Sequence, residues 1–400
     1  MSITETIRAE VEAAREDLVA LSSELVAAHS VNPEGDTRAV AEIVTRTLRE
    51  HGLEPTTITV NDIMPNVIAV IDSGRPGPHL LLNVHQDTMP AGDESAWSVD
   101  PWQLTRKDGR LYGLGMGNMK GAVAAMTFAA GALHRHRDQW VGKVTFTAVS
   151  DEVVFGPNGA AHLVEQPAFR GDAMLCGEGP GFRRIGIGEK GVLWLAIEAT
   201  GEAGHSSAVT LGRSASARIA AATLAIDALN GLRPTPPAAL AALFDTEQDS
   251  GFSLSANVGT VQAGSFVGQV ATTARAEVDL RIPPGLTCDE VEAMVADAVA
   301  DIETVTVSRI KGWDPNWTGI DAPIVASFLA SNAELGYSHT APAVRLPASD
   351  ASRWRTRGIP ALCYGPQPTL SAGIDDYAEE DEVLRCAALY TLTALKFLAP

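Results

Sequence analysis

Three short apolar segments of this 400-residue chain each end in side chains that can bind a metal ion or transfer protons. The segment LLLNVHQD ends in His85 and Asp87, FTAVSDE ends in Asp151 and Glu152, and MLCGE ends in Glu178. In an open α/β sheet the ligand site lies at the carboxyl ends of the strands. A histidine grouped with carboxylates from separate strands is typical of a metal site or an acid–base centre. A single His-x-Asp pair also occurs as a purely structural hydrogen-bonded pair, so the prediction depends on all three segments together.

The segments around these residues predict an α/β domain with a smaller insertion. Up to residue 187, apolar strands alternate with helices, which indicates a sheet buried on both faces. From 188 to 311, long alternating strands accompany amphipathic helices, which predicts an α+β insert, and from 312 the α/β pattern returns. We therefore expect a three-layer α/β domain formed by 1–187 and 312–400, with a lid or dimerisation domain at 188–311. The predicted strands are 66–71, 79–85, 143–150, 172–176, 192–204, 253–264, 271–284 and 360–365; the predicted helices include an N-terminal helix, 121–137, 215–232, 288–303 and a last helix from about Glu380.

Composition excludes several classes of function. The chain has 30 Lys and Arg against 49 Asp and Glu, a formal net charge of −19, so we expect no nucleic-acid partner. Apolar stretches fall short of the roughly 18–20 residues that cross a bilayer, and the acidic N-terminus does not resemble a signal peptide. Four cysteines stand singly without a Cys-x-x-Cys pair, which favours a reduced, cytoplasmic protein without a membrane partner.

The order of the motifs resembles a known family. His-x-Asp-x-x-Pro, GxGxxxMKG, an Asp-Glu pair, Gly-Glu, GxxxHSS and Asp-x-Arg follow one another as in the two-zinc aminoacylase and carboxypeptidase metallopeptidases, which include acetylornithine deacetylase, succinyl-diaminopimelate desuccinylase and glutamate carboxypeptidase. The resemblance extends from about Asp17 to Leu398. It implies a metal-binding α/β domain, an inserted dimerisation domain and a homodimer formed through that domain.

The resemblance also implies roles for individual residues. His85 matches a zinc ligand, Asp87 the partner that orients its imidazole, Glu178 a carboxylate ligand, and Glu152 the general base. Repulsion from Asp87, Asp151 and Glu178 is expected to raise the pKa of Glu152, which suits acid–base catalysis.

The chain departs from the family pattern at three metal-binding positions. Asn118 stands where the family has the aspartate that bridges both zinc ions, and Val153 and Ala372 stand at two further ligands; Asp376 replaces the glutamate of the final motif. A carboxamide offers one uncharged oxygen, and a zinc site needs about three protein ligands. We therefore expect a dismantled two-zinc centre and no metal cofactor, with Asn118 contacting substrate; one weakly bound zinc ion is the alternative.

Other family positions are present in the chain. His205 matches the lid histidine that stabilises an oxyanion in the partner's site, Arg281 the arginine that binds a substrate carboxylate, and Asp350 a position near the substrate. Each has a simpler interpretation. His205 could be a turn residue, Arg281 could pair with Asp279 or Glu277, and Asp350 could cap a helix.

These observations leave three hypotheses about function. The first is a biosynthetic enzyme that uses Glu152 as acid and base without the two-zinc centre. It would act on a small, carboxylate-bearing, amino-acid-derived molecule, with non-hydrolytic amine–carbonyl condensation as one possible reaction. The second is a single-zinc amidase, deacylase or dipeptidase that hydrolyses an N-acyl amino acid with His85, Asn118 and Glu178 as ligands. The third is a catalytically inactive binding subunit.

Overall fold

The structure is a computed structural model that describes residues 2–210, 213–244, 250–337, 340–367 and 373–400. The chain divides into two compact units. The first comprises Met1–Ile187, Thr318–Ala343 and Ser349–Pro400; the second comprises Gly188–Trp317 and Val344–Ala348.

The strands and helices are numbered in chain order through both units. The strands are β1 (Thr56–Thr59), β2 (Pro65–Asp72), β3 (His79–His85), β4 (Thr105–Lys107), β5 (Arg110–Tyr112), β6 (Lys143–Val149), β7 (Ala173–Cys176), β8 (Arg184–Glu189), β9 (Gly191–Thr200), β10 (Ser255–Ala263), β11 (Thr273–Ile282), β12 (Val305–Trp313), β13 (Asn316–Trp317), β14 (Ala341–Arg345), β15 (Ala361–Cys363) and β16 (Tyr377–Glu379). The helices are α1 (Ile3–Ala13), α2 (Arg15–Ala27), α3 (Arg38–Glu50), α4 (Gly121–Arg135), α5 (Ala160–Val164), α6 (Ala215–Asp227), α7 (Ala241–Phe244), α8 (Cys288–Val299), α9 (Pro323–Glu334), α10 (Ala351–Arg355) and α11 (Glu380–Phe397).

The central sheet of the first unit has the order β1-β2-β6-β3-β7-β15-β8. Strand β3 pairs in parallel with β6 and β7, and β15 pairs in parallel with β7. Parallel neighbours have their carboxyl ends at the same edge of the sheet, so the segments that follow β3, β6 and β7 come together there. The sheet therefore positions three of the loops that carry candidate site residues.

Apolar side chains explain why these strands are central. Six of the seven residues of β3 are buried, and β6 shows the same pattern. Strands covered on both faces read as continuous apolar runs rather than as alternating ones. Helix α4 consists largely of small residues and is buried from Gly121 to Leu133, where it packs against α11. Small side chains allow this close approach between helices.

The second unit contains an antiparallel sheet with the order β10-β11-β9-β12. In β9, Leu193, Leu195 and Ile197 are buried in a core with α6 and α8, whereas Trp194 and Glu198 are exposed. This alternation is typical of a sheet with one face on the core and one in solvent.

The predicted α/β class with an inserted α+β unit is confirmed. Several elements differ from those that the sequence predicts, among them the N-terminal helix and β12. The N-terminal helix is two helices, α1 and α2, which meet at Ala14, and β12 was not predicted because its side chains are mostly exposed or half-buried. Among the described residues, every helix is too short or too polar to cross a lipid bilayer.

His79, at the start of β3, is expected to make folding sensitive to acid. Burial lowers the pKa of His79 to about 4, below its ordinary value of 6.5, and its Nε2 lies 2.8 Å from Thr145 Oγ1. Because the folded state resists protonation, the stability present above pH 6.5 is lost as the pH falls towards 4. Between about pH 7.5 and about pH 4.5, the melting temperature of His79→Gln should therefore fall less than that of the wild type. Calorimetric melting at several pH values measures this difference, and parallel curves for the two proteins would contradict the assignment.

Candidate metal centre

The edge of the central sheet positions the candidate side chains. His85 is the last residue of β3, Asp151 and Glu152 follow β6 within three residues, and Glu178 lies two residues beyond β7. His85 is the partner of Val149 in the parallel register of β3 and β6, so the turn after β6 begins beside the imidazole. All four side chains are buried.

Three side chains converge on the Nε2 atom of His85. Asn118 Oδ1 lies 3.1 Å from this nitrogen, Glu178 Oε1 3.5 Å, and Glu152 Oε2 3.6 Å. The nearest donor atoms of His85, Glu152 and Glu178 lie within 4.8 Å of one another. An imidazole nitrogen, two carboxylates and an amide oxygen around one point form a donor set suited to zinc or a related divalent ion.

The other ring nitrogen of His85 sets the orientation of the imidazole. Nδ1 lies 2.9 Å from the backbone carbonyl oxygen of Asp87, which can only accept, so Nδ1 donates. The neutral ring therefore presents its Nε2 lone pair to the cluster, as a metal ligand requires. The Asp87 carboxylate is farther away, with Oδ1 at 3.6 Å from Nδ1, so Asp87 orients the ring mainly through its backbone.

The carboxylates of Asp87 and Asp151 hold the turn that carries Glu152. Asp87 accepts hydrogen bonds from the backbone amides of Glu152 at 3.2 Å and Val153 at 3.0 Å. Asp151 instead accepts from the backbone amide and side chain of Asn158. Both carboxylates thus support the position of Glu152 and do not enter the group around His85 Nε2.

Burial and neighbouring charges favour the binding of a cation, either a proton or a metal ion, in this cluster. Burial, together with the charge of Glu178, raises the pKa of Glu152 well above its ordinary value. Burial opposes protonation of His85, but the charge of Glu152 and the hydrogen bond to Glu178 outweigh it and raise the pKa of His85. Glu152 and His85 therefore both hold protons more readily when no other cation is present, and a metal ion can take the place of those protons.

Asp350 also belongs to this group of buried acids. Its Oδ2 accepts a hydrogen bond from Asn83 Nδ2 at 3.1 Å, and burial raises its pKa to about 6, partly offset by the charges of Arg353 and His85. Asp350 precedes α10, but its side chain makes no capping hydrogen bond. It is therefore directed to the strand that carries His85 rather than to the end of the helix.

His205 and Arg281 lie in the second unit. His205 is exposed, and its Nδ1 lies 3.2 Å from the backbone nitrogen of Ser207 and 2.8 Å from the Ser207 hydroxyl oxygen. Arg281 is half-buried and donates from Nη2 to Asp279 Oδ2 at 2.9 Å, which is the ion pair considered in the sequence analysis.

Two family ligand positions hold no metal-binding side chain. Val153 has an aliphatic side chain, and only its backbone nitrogen makes a hydrogen bond in this region, to Asp87. Ala372 lies outside the residues that the structure describes.

Comparison with known proteins identifies the family. The family model described as "Peptidase family M20/M25/M40" matches residues 81–396. The chain belongs to this family. Acetylornithine deacetylase of Vibrio campbellii is 30% identical over 275 residues, 68% of each chain, and succinyl-diaminopimelate desuccinylase 2 of Ruegeria is 33% identical over 198 residues, 48% of this chain and 49% of that protein. The predicted family resemblance is confirmed.

Solved structures show the same fold. The dipeptidase Dug1p of Saccharomyces cerevisiae has a TM-score of 0.76 and 10% identity, and the match covers 99% of this chain and 98% of that one. A Bacillus subtilis protein described as a dinuclear metal binding peptidase of the M20 family has a TM-score of 0.68 and 16% identity, covering 99% of this chain and 100% of that one.

The expectation of no metal cofactor is wrong. The family includes a dinuclear metal-binding peptidase, and His85, Glu152 and Glu178 form a buried group able to hold a metal ion. The number of missing ligands, which the sequence reveals, does not indicate how closely the remaining donor atoms converge once three strand ends meet.

Two supporting residues were missed. Asn32 donates from Nδ2 to both Asp87 Oδ2 at 2.8 Å and Asp151 Oδ1 at 3.3 Å, and no local pattern marks it. Asn83, which donates a hydrogen bond to Asp350, had a usable signal, because it is a polar residue within the buried run LLLNV of β3.

The donor set predicts that a charge at position 118 strengthens metal binding. Asn118→Asp replaces a neutral oxygen with a charged one at the same place, and affinity rises with the number of charged ligands. We expect zinc to bind about tenfold more tightly or better, and Asn118→Ala to bind it more weakly than the wild type. Competition with a zinc-binding dye measures all three proteins. Equal affinities would show that Asn118 is not part of the donor set.

Proposed function

We propose that this protein is a hydrolase that uses one metal ion to cleave the amide bond of a small N-acyl amino acid or dipeptide. The observation that carries the proposal is the convergence of Asn118, Glu152 and Glu178 on His85 Nε2. His85, Glu178 and Asn118 are the proposed ligands, with zinc as the proposed ion. The names of the relatives, a deacetylase of acetylornithine and a desuccinylase of succinyl-diaminopimelate, support an acylated amino acid as substrate.

A single ion is favoured by the residues around the cluster. Within the described part of the chain, the only group of three or more His, Cys, Asp or Glu side chains that could hold a metal ion is His85, Glu152 and Glu178. Val153 contributes no donor beside it. The described residues thus offer ligands for one ion, and Val153 stands in place of one of the side chains that the family resemblance implies for a second.

Glu152 is the proposed acid and base. An ion bound at His85 would act as a Lewis acid on the scissile carbonyl. Glu152 takes a proton from the attacking water and delivers it to the leaving nitrogen, so the same carboxyl acts twice. Burial and the charge of Glu178 raise the pKa of Glu152, which lets this carboxyl hold a proton between the two steps.

His205 is the proposed oxyanion donor. The backbone N–H of Ser207 donates to His205 Nδ1, so the neutral ring carries its proton on Nε2, and that N–H is free to donate to a developing negative charge. The family resemblance implies that it acts in the site of a partner subunit. Arg281 keeps part of its guanidinium fork beyond the bond to Asp279, and we propose that it binds the substrate carboxylate.

We further propose a homodimer formed through the second unit. Among the described residues, β10 is an edge strand of the four-stranded sheet, and Val261 on β10 and Leu224 on α6 are exposed apolar side chains. Exposed edges and apolar side chains of this kind favour association. All four cysteines, which lie within the described residues, are buried thiols outside any disulfide, which supports the proposal of a reducing, cytoplasmic location.

The other two hypotheses stay predictions with less support. Condensation would require the site to exclude attacking water, and the relatives are named for removing acyl groups. An inactive binding subunit would not need a buried carboxyl with a raised pKa beside a metal-binding imidazole.

Replacing Glu152 separates these hypotheses. Glu152→Gln should lower kcat for N-acetyl and N-succinyl amino acids by about 10²- to 10⁴-fold, because the amide cannot take up the proton, while zinc still binds. Steady-state kinetics measures the loss, and Glu165→Gln, an exposed residue paired with Arg357, is the matched control.

Metal analysis completes the test. Zinc should be found at about one ion per chain, and chelation should abolish activity that added zinc restores. Wild-type activity in Glu152→Gln would overturn its role as acid and base. A zinc-loaded wild type without activity on any N-acyl amino acid or dipeptide would overturn the hydrolase, and product formation from an amine and an aldehyde would instead indicate condensation.

A further inference from the structure

Two buried charged residues that the proposed chemistry does not use hold the loop that carries Asn118 in place. This loop, Gly113 to Lys120, connects β5 to α4, and we call it the Asn118 loop. Lys120 is 1% exposed and Asp376, which immediately precedes β16, is 9% exposed. Buried charges are costly unless they are paired and hydrogen-bonded, so the position of each calls for a reason.

Asp376 holds the start and the middle of the Asn118 loop. Its backbone oxygen accepts from the amide of Gly113 at 3.0 Å, which extends the pairing of β16 with β5 by one residue. Its carboxylate then accepts from the amides of Gly115 at 2.8 Å and Gly117 at 3.2 Å. Three successive odd-numbered amides of the loop thus bind to one residue, and Asn118 follows directly.

Lys120 holds the end of the same loop. Its Nζ donates to the carbonyl oxygen of Ala28 at 2.9 Å, with that of Val26 at 3.5 Å. These carbonyls lie at the C-terminal end of α2, where a positive charge is favourable. The loop is therefore attached on one side to β16 and on the other to α2.

The close packing of the Asn118 loop leaves little freedom for another path. Gly115 has a φ of +86°, and a Cβ atom there would approach Thr88 Cγ2 to 2.5 Å. Glycine is needed at such a position because it tolerates positive φ and has no side chain to collide. The loop must reach this conformation for Asn118 Oδ1 to lie 3.1 Å from His85 Nε2.

We propose that Asp376 is a positioning residue that holds the Asn118 loop in the conformation that presents Asn118 to the metal site. The proposal rests on the proposed function in so far as Asn118 is taken as a metal ligand. A carboxylate is required at this position, because each of its two oxygen atoms accepts a hydrogen bond from a backbone amide, those of Gly115 and Gly117. Burial raises the pKa of Asp376 to about 7, and the two amide bonds and the charge of Lys120 oppose this rise.

Hydrogen exchange of the metal-free protein tests the positioning directly. Asp376→Asn keeps the shape of the side chain, but its amide nitrogen faces one of the two donating amides. We expect the amides of Gly115 and Gly117 to exchange about tenfold faster or more in this variant. Asp375→Asn is the matched control, because Asp375 also accepts from a backbone amide, that of Ser98 at 2.7 Å, but does not bind the Asn118 loop. Unchanged exchange in Asp376→Asn, or equally faster exchange in Asp375→Asn, would overturn the proposal.

Zinc titration provides the second readout. Asp376→Asn should weaken zinc binding about tenfold to a hundredfold, as loss of residues that orient ligands does, with Asp375→Asn close to the wild type. Wild-type zinc affinity in Asp376→Asn would overturn the role in presenting Asn118.

A third variant keeps the test usable if Asp376→Asn does not fold. Asp376→Glu retains the charge, but its longer side chain displaces the loop, so we expect zinc to bind several-fold more weakly in a folded protein. Wild-type affinity there would also count against the proposal. If the wild type itself binds no zinc while Asp376→Asn still accelerates exchange, the single-metal function fails and the positioning of the loop by Asp376 stands.

Discussion

The central constraint in this structure is the electrostatic demand of a buried cluster. Three polar side chains meet around one imidazole nitrogen, and two of them are carboxylates with little access to water. Such an arrangement is stable only when a cation, a proton or a metal ion, lies among them. The parallel strands β3, β6 and β7 create the cluster, because their carboxyl ends meet at one edge. The surrounding hydrogen bonds then keep each donor in its place.

Much of the surrounding polar structure supports backbone rather than contacting the cluster. The carboxylate of Asp87 accepts from the backbone amide of Glu152, and that of Asp151 accepts from Asn158. The side chain of Asn32 donates to both of these aspartates. Asp376 plays the corresponding part for the Asn118 loop. Buried carboxylates that accept several amide hydrogen bonds make a loop rigid. A metal site with few ligands needs such rigidity, because its donor atoms must be held close to the positions that they occupy when the ion is bound.

Two questions have to be kept apart: the coarse function of the chain and the number of metal ions that it binds. The family accounts for the fold and for hydrolysis of amino-acid derivatives as the coarse function. The composition of the cluster bears on how many ions this chain holds. Among the described residues, Asn118 and Val153 are the ones that bear on the number of ions. The amide oxygen of Asn118 is a weak metal ligand, and the isopropyl group of Val153 is not a ligand at all.

The sequence by itself determined the order of elements and the identity of most site residues. Continuous apolar runs marked β3, β6 and β7, and the polar residues that end them marked the site, because both signals are local. The sequence could not decide whether a metal ion is held, since that depends on distances between atoms more than thirty residues apart, such as His85 Nε2 and Asn118 Oδ1. The sequence also does not reveal that Asn32, Asp376 and Lys120 support the site through hydrogen bonds. Their hydrogen bonds join segments that are distant in the chain, and only the packing of the folded sheet and helices brings such segments together.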